Sequence, residues 1–232
     1  MNFPIASRRS WFYPAMGIAI AAIVAVGFAR SYYLKALLDP RPLTLRLHLH
    51  GLMLTGWIVL FLIQTGLIAA SRRTAHRRLG VAAAALAALA VITTYAAAFE
   101  SAAHVRGGLT SVDRLYSNLL LATMFGLFVA AGMVLRRRSD AHKRLMLLAM
   151  IAAVGPGANR AMVLLTGRPA GDFHVLPISG LVLLGLIDDW RTRGRPHSVL
   201  LWGGALLVAS QLTRRIVGGS DIWARVAHWL LG

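Results

Sequence analysis

An all-α membrane protein, a polytopic bundle of about seven transmembrane helices, is the fold class this sequence predicts. Composition and its arrangement carry that prediction. The 232 residues are 57% apolar and only 14% charged, whereas a soluble domain usually has about a quarter charged and under half apolar residues. Mean hydropathy is +0.64. The apolar residues fall in long runs separated by short basic connectors, a pattern that excludes a soluble globular domain, a disordered chain and a small secreted scaffold. The chain has no cysteine, which removes disulfides, thiolate metal sites, iron–sulfur clusters and cysteine nucleophiles.

A crossing helix needs roughly 20 apolar residues at about 1.5 Å each. The first run extends from about Trp11 to Ala29. Arg8 and Arg9 precede it and no small-residue cleavage site follows, so it reads as a retained signal-anchor helix. The next runs are Leu43 to Ala70, Leu79 to Phe99, Leu115 to Leu135 and Leu145 to Leu165. A sixth (Val175 to Ile187) and a seventh (Val199 to Leu212) are short, as in a thin or re-entrant hairpin. Ser220 to Leu231 differs in kind. Ile222, Trp223, Val226 and Leu230 share one helical face with Arg225 and His228 off it, which predicts an amphipathic helix lying in the interface. All of these belong to a single integral membrane domain over residues 1–232.

The 25 lysines and arginines against eight acids give +17. Such a balance suits nucleic acid, but these charges sit between membrane runs, and 23 of the 25 are arginine, a compositional bias. No nucleic-acid partner is expected; the lipid bilayer is. The dense basic clusters are Arg8/Arg9, Arg72 to Arg78, Arg136 to Arg144 and Arg191 to Arg195, all on one side of the seven-run topology. Positive residues stay inside. The N-terminus is therefore expected in the cytoplasm and the C-terminus in the periplasm, in a bacterial cytoplasmic (inner) membrane.

Shifted by 66 residues, two connectors of the chain match without gaps. Gly66-Leu67-Ile68 falls on Gly132-Met133-Val134, and Ala75-His76-Arg77-Arg78-Leu79 on Ala141-His142-Lys143-Arg144-Leu145. Residues 43–99 and 115–165 thus read as tandem two-helix hairpins in the same orientation, related by an axis along the membrane normal. That axis would bring His76 and His142 to face one another on the cytoplasmic side. Thr74 and Asp140, just before these histidines, are the expected N-caps.

Ionisable groups within a membrane are costly and mark candidate sites. Arg46, His50, Trp57 and Gln64, with Met53 and Phe61 between them, form a stripe that should face the bundle interior. Glu100, the only glutamate, precedes His104 by one turn. Asn159 and Arg160 follow Gly155-Pro156-Gly157, which should kink or unwind its helix. Glu100 is the expected partner of Arg160. Three chemistries can use these groups. Bis-histidine ligation of haem b would pair His50 with His104 on the outer side and His76 with His142 on the inner side. A divalent metal such as zinc would take His50, Glu100 and His104, completed by Asp172 or His174. A quinone or lipid headgroup would be held by Arg46 and Arg160. His48 cannot join His50 at one ligand, since two residues along a helix turn by about 200°.

Leu47-His48-Leu49-His50-Gly51-Leu52-Met53, then Trp57, Gln64 and Ala75-His76-Arg77-Arg78-Leu79-Gly80, resemble a broad group of bacterial multi-pass membrane proteins. More distantly, residues 44 to 165 resemble the transmembrane ascorbate-reducing haem b cytochromes, the ferrireductase-like family. That resemblance implies a four-helix core with two haems, with His50 and His76 as first ligands and His104 and His142 as second. In this chain His104 follows the third run, and Tyr116 stands at the repeat position of His50. The expected function is haem b electron transfer or quinol-linked redox. The alternatives are a metal-dependent or lipid-modifying membrane enzyme, or a non-catalytic structural subunit of a larger membrane complex or a homodimer. No Gly-flanked serine elbow or P-loop is present.

Overall fold

A computed structural model describes residues 11–39, 42–104, 109–167 and 175–231, with the backbone alone at 103, 104, 109–111, 113 and 215. The helices are α1 (Phe12–Phe28), a π-helical turn (Ala29–Tyr33), α2 (Lys35–Leu38), α3 (Leu45–Ala69), α4 (Arg73–His104), α5 (Leu109–Val134), α6 (Ser139–Thr166), α7 (Leu176–Arg193), α8 (Ser198–Leu212), α9 (Arg214–Gly218) and α10 (Asp221–Leu231). Among the described residues there is no strand. Five segments are long and apolar enough to cross a membrane: Phe12–Tyr33, Leu45–Ala69, Arg73–Ala102, Arg114–Val134 and Ser139–Thr166. They are the first five predicted runs. The sixth and seventh correspond to α7, of 18 residues and carrying charge at its end, and α8, of 15. Length and composition therefore set five spans, where seven were expected.

The packing order follows the short connectors. α3 lies on α4, α4 on α5, α5 on α6, α6 on α1 and α1 on α3, so the contacts close a ring of five helices. The α7–α8 hairpin packs outside this ring against α6. That position explains the most buried stretch of the molecule, Leu147 to Ala152, six successive residues with no exposed surface. Residues turning by about 100° each cover every face of a helix within that stretch. Through that stretch α6 is enclosed on all sides, and it is the hub of the fold.

The two hairpins that read as repeats differ in this respect. Arg144, Leu147, Leu148 and Ile151 on α6 are buried, while Arg78, Val81, Ala82 and Ala85, each 66 residues earlier on α4, are exposed. The α7–α8 hairpin covers the second of these hairpins and leaves the matching positions of the first exposed.

Local chemistry modifies several expectations. Thr44 caps α3, its hydroxyl accepting from Leu47 N at 3.3 Å. Thr74 and Asp140 are not caps, because α4 begins at Arg73 and α6 at Ser139. Asp140 sits in the first turn and instead takes Lys143 at 3.2 Å and Arg144 at 3.3 Å. Gly155-Pro156-Gly157 does not unwind α6, which continues through Pro156. Proline removes only one ladder bond. Gly157 serves close packing: a Cβ there would stand 3.1 Å from the Phe28 ring and 3.4 Å from Val24 Cα. α10 divides its apolar residues between two surroundings. Trp223 and Ala227 face the bundle, with Trp223 Nε1 donating to Val112 O at 2.8 Å and its ring edge-on to Tyr116. Ile222, Val226, Trp229 and Leu230 are exposed.

Candidate functional site

The connectors 70–72, 135–138 and 194–197 meet at one end of the bundle, which also carries the exposed Arg72, Arg73, Arg77, Arg78 and Arg136 to Arg138. His76, in the first turn of α4, and His142, in the first turn of α6, come together there. Their ring centres are 6.3 Å apart and their planes nearly perpendicular, at 81°. The sequence-expected inner pair is therefore brought together across α5.

Each ring is held through Nδ1 by the preceding helix of its own hairpin. His142 Nδ1 lies 2.8 Å from Gly132 O on α5. Gly132 makes that approach possible, since a Cβ would stand 3.4 Å from Leu145 Cβ and also strike the end of Met146. His76 Nδ1 lies 2.6 Å from the amide of Gln64 on α3. Gln64 belongs to the predicted polar stripe, whose central Trp57 and Phe61 are buried at 4% and 6% exposure. Trp57 packs edge-on to Phe125 across the ring, and its indole N–H has no acceptor among the described residues. Arg46, at the stripe's end, is exposed.

Beside the histidine pair is a buried ion pair that sequence reasoning missed. Arg144 and Asp189 are each 1% exposed. Arg144 Nε donates to both Asp189 oxygens at 2.9 Å, and its Nη2 also bonds Oδ1. Nη1 donates to Asp140 O at 2.7 Å. Asp189 Oδ2 further accepts from His197 N at 3.0 Å, and His197 Nδ1 in turn accepts from Val199 N at 3.1 Å, capping α8. Partial burial, then the charges of Arg144 and Arg193, hold the His197 imidazole below its ordinary pKa. The available signal was scarcity: in a chain with eight acids, Asp188 and Asp189 end the sixth run on the side where Lys143 and Arg144 begin the fifth.

At the opposite end the expected polar groups are spread around the helices. His50 Nδ1 is 3.3 Å from Thr94 Oγ1, tying α3 to α4. His48 points elsewhere and lies against the Tyr32 ring. Arg160 stacks over Phe28 at 4.4 Å and reaches Ser31 Oγ at 3.5 Å. The bridge to Glu100 is not among its described contacts. Asn159 Oδ1 is buried without a hydrogen-bond partner among the described residues. α4 continues through Glu100 to His104, so the two are one helical turn apart in the backbone. The side chain of His104, together with Asp172 and His174, lies outside the described residues. Of the expected metal set only His50 and Glu100 are fully described, and no group of three or more possible ligands occurs among the described residues.

No protein-family model, curated protein or solved structure matches this chain.

Proposed function

We propose that the chain is an integral membrane electron-transfer protein whose arginine-rich end would hold one haem b through His76 and His142. The observation that carries this reading is the pair of imidazoles from alternate helices, brought together with ring centres 6.3 Å apart. Two metal–nitrogen bonds of about 2 Å each, plus the radius of each ring, require roughly that separation. His142 meets the second requirement as well: its Nδ1 is turned to a backbone carbonyl, as in metal-ligating histidines whose other nitrogen is anchored. The exposed arginines at this end suit the two carboxylates that haem carries. The described residues support one such site, and the bound group would supply one-electron chemistry at this depth. α7 and α8 complete a seven-span topology: α7 carries Asp189 to the arginine-rich end of α6, while its opposite end places Ile178 against Gly155. Positive residues concentrated on that side favour the cytoplasmic face of a bacterial inner membrane.

The test is a reduced-minus-oxidised visible spectrum of protein expressed with ample haem and purified in detergent. The reading expects a Soret band that disappears in His76→Ala and in His142→Ala, with both variants remaining monodisperse, and persists in His50→Ala. A colourless wild-type protein overturns it.

A second reading is favoured by Arg160 at the opposite end. Its charge rests on an aromatic face with one long hydrogen bond, to Ser31. Such a guanidinium suits a quinone carbonyl or a lipid phosphate. Arg160→Ala should then lower the quinone or phospholipid that co-purifies with the protein, and unchanged content removes this reading.

A further inference from the structure

His76 and His142 stand at equivalent positions of the two hairpins, yet their Nδ1 atoms meet opposite partners. A carbonyl can only accept, so His142 Nδ1, turned to Gly132 O, carries the proton and its lone pair is on Nε2. At His76 the partner is Gln64, whose amide has one end of each kind. Its two backbone neighbours decide which end faces where. His76 O, an acceptor, lies 3.2 Å from one amide atom, and Gly80 N, a donor, lies 3.2 Å from the other. The amide nitrogen therefore points to His76, 2.6 Å from Nδ1, and the oxygen to Gly80. Facing an N–H, His76 Nδ1 must be the lone-pair nitrogen, and in a neutral ring the proton then sits on Nε2.

The geometry points to Gln64 as a positioning residue that sets the tautomer of His76, and with it what the pair can do. With the amide so oriented, the two rings differ, one carrying an Nε2–H and the other an Nε2 lone pair. Ligating a metal needs an Nε2 lone pair on both rings. That state is reached by rotating the Gln64 amide through half a turn, a torsion with two-fold character. Its oxygen then accepts from His76 Nδ1–H, against the preference of its two backbone neighbours. The second hairpin has no such device, since position 130, 66 residues after Gln64, is alanine. The ligation half of this inference rests on the haem reading above, while the tautomer half does not.

The experiment is ¹⁵N–¹H correlation across the imidazole rings of histidine-labelled full-length protein without haem, in detergent. His76 and His142 are assigned by the loss of their signals in His76→Asn and His142→Asn. The expected result is a proton on Nε2 of His76 and on Nδ1 of His142. Gln64→Glu, whose carboxylate only accepts, should move the His76 proton to Nδ1 and leave His142 unchanged. Gln64→Leu should leave His76 without a single preferred tautomer. A wild-type His76 protonated on Nδ1, or a His76 that ignores both substitutions, overturns the inference. Haem retention is read on the same variants. If haem binds, Gln64→Glu should retain at least as much as wild type and Gln64→Leu less, and the reverse order overturns the ligation half. If no variant binds haem while the tautomers are as expected, the haem reading falls, and the assignment of Gln64 as the residue that sets the His76 tautomer stands.

Discussion

Removing the Asp189 carboxylate should detach the α7–α8 hairpin from α6, because it strands a charge where water cannot reach. Arg144 is 1% exposed and directs Nε and Nη2 at Asp189. In Asp189→Ala it keeps only Asp140, through the carbonyl at 2.7 Å and Oδ1 at 3.3 Å. Losing one partner of a buried pair costs about 3–5 kcal/mol. The orphaned N–H of His197 adds a part of the ~1 kcal/mol of an ordinary hydrogen bond. For a chain of this size each kcal/mol is worth about 2–4 °C of melting temperature, so the expected drop is on the order of 10 °C. The assay is the temperature at which the detergent-solubilised protein loses its monodisperse elution peak. The decisive comparison is the double variant Arg144→Met/Asp189→Leu. If the uncompensated charge is the cause, an apolar pair of similar volume should recover most of the loss. A double variant as unstable as Asp189→Ala would refute the reasoning, and show that the hairpin needs the hydrogen bonds themselves.

Two further outcomes follow from the same end of the molecule. Burial and the neighbouring arginines lower the His197 pKa in the fold, so as pH falls below about 6.5 the unfolded chain takes a proton that the folded chain refuses. Stability should therefore decline from that pH down through the folded pKa, where protonation also removes the Nδ1 lone pair that caps α8. His197→Asn keeps a capping oxygen without titrating, and its melting temperature should fall less between pH 7.5 and 5 than that of wild type; equal falls would exclude His197 as the source. Topology is open to single-cysteine labelling, since the chain has no cysteine of its own. With seven spans, Ser71→Cys and Ser198→Cys should react with an impermeant reagent from one side of the membrane and Ser220→Cys from the other. Labelling of Ser198→Cys together with Ser220→Cys would mean that α7 and α8 re-enter without crossing.

Much of this architecture was legible in the chain because membrane insertion is governed by local quantities. Run length and charge placement located the five long helices, since a bilayer demands a continuous apolar stretch whatever its neighbours do. The 66-residue match placed His76 and His142 at corresponding turns, and their rings do come together. The stripe through Trp57 and Phe61 turned inward because a helical period fixes which residues share a face.

Partner choice was a different matter, because it depends on which helices become neighbours, and no local pattern encodes that. Arg160 was expected against Glu100 but stacks on Phe28, since α6 packs on α1 through Gly157 and brings that ring beneath the guanidinium. Arg144 and Arg78 occupy matching positions in similar sequences, yet one is buried and the other exposed, for the α7–α8 hairpin docks chiefly on α6. The different partners of the His76 and His142 Nδ1 atoms likewise come from a glutamine and a backbone carbonyl contributed by different helices. The sequence by itself determined that the protein is helical, how its membrane segments are spaced and which residues lie at its basic end. Only the tertiary structure decided which charges are paired and which polar groups meet the ring nitrogens, because those energies arise between helices, where packing excludes water and each polar atom must find its partner.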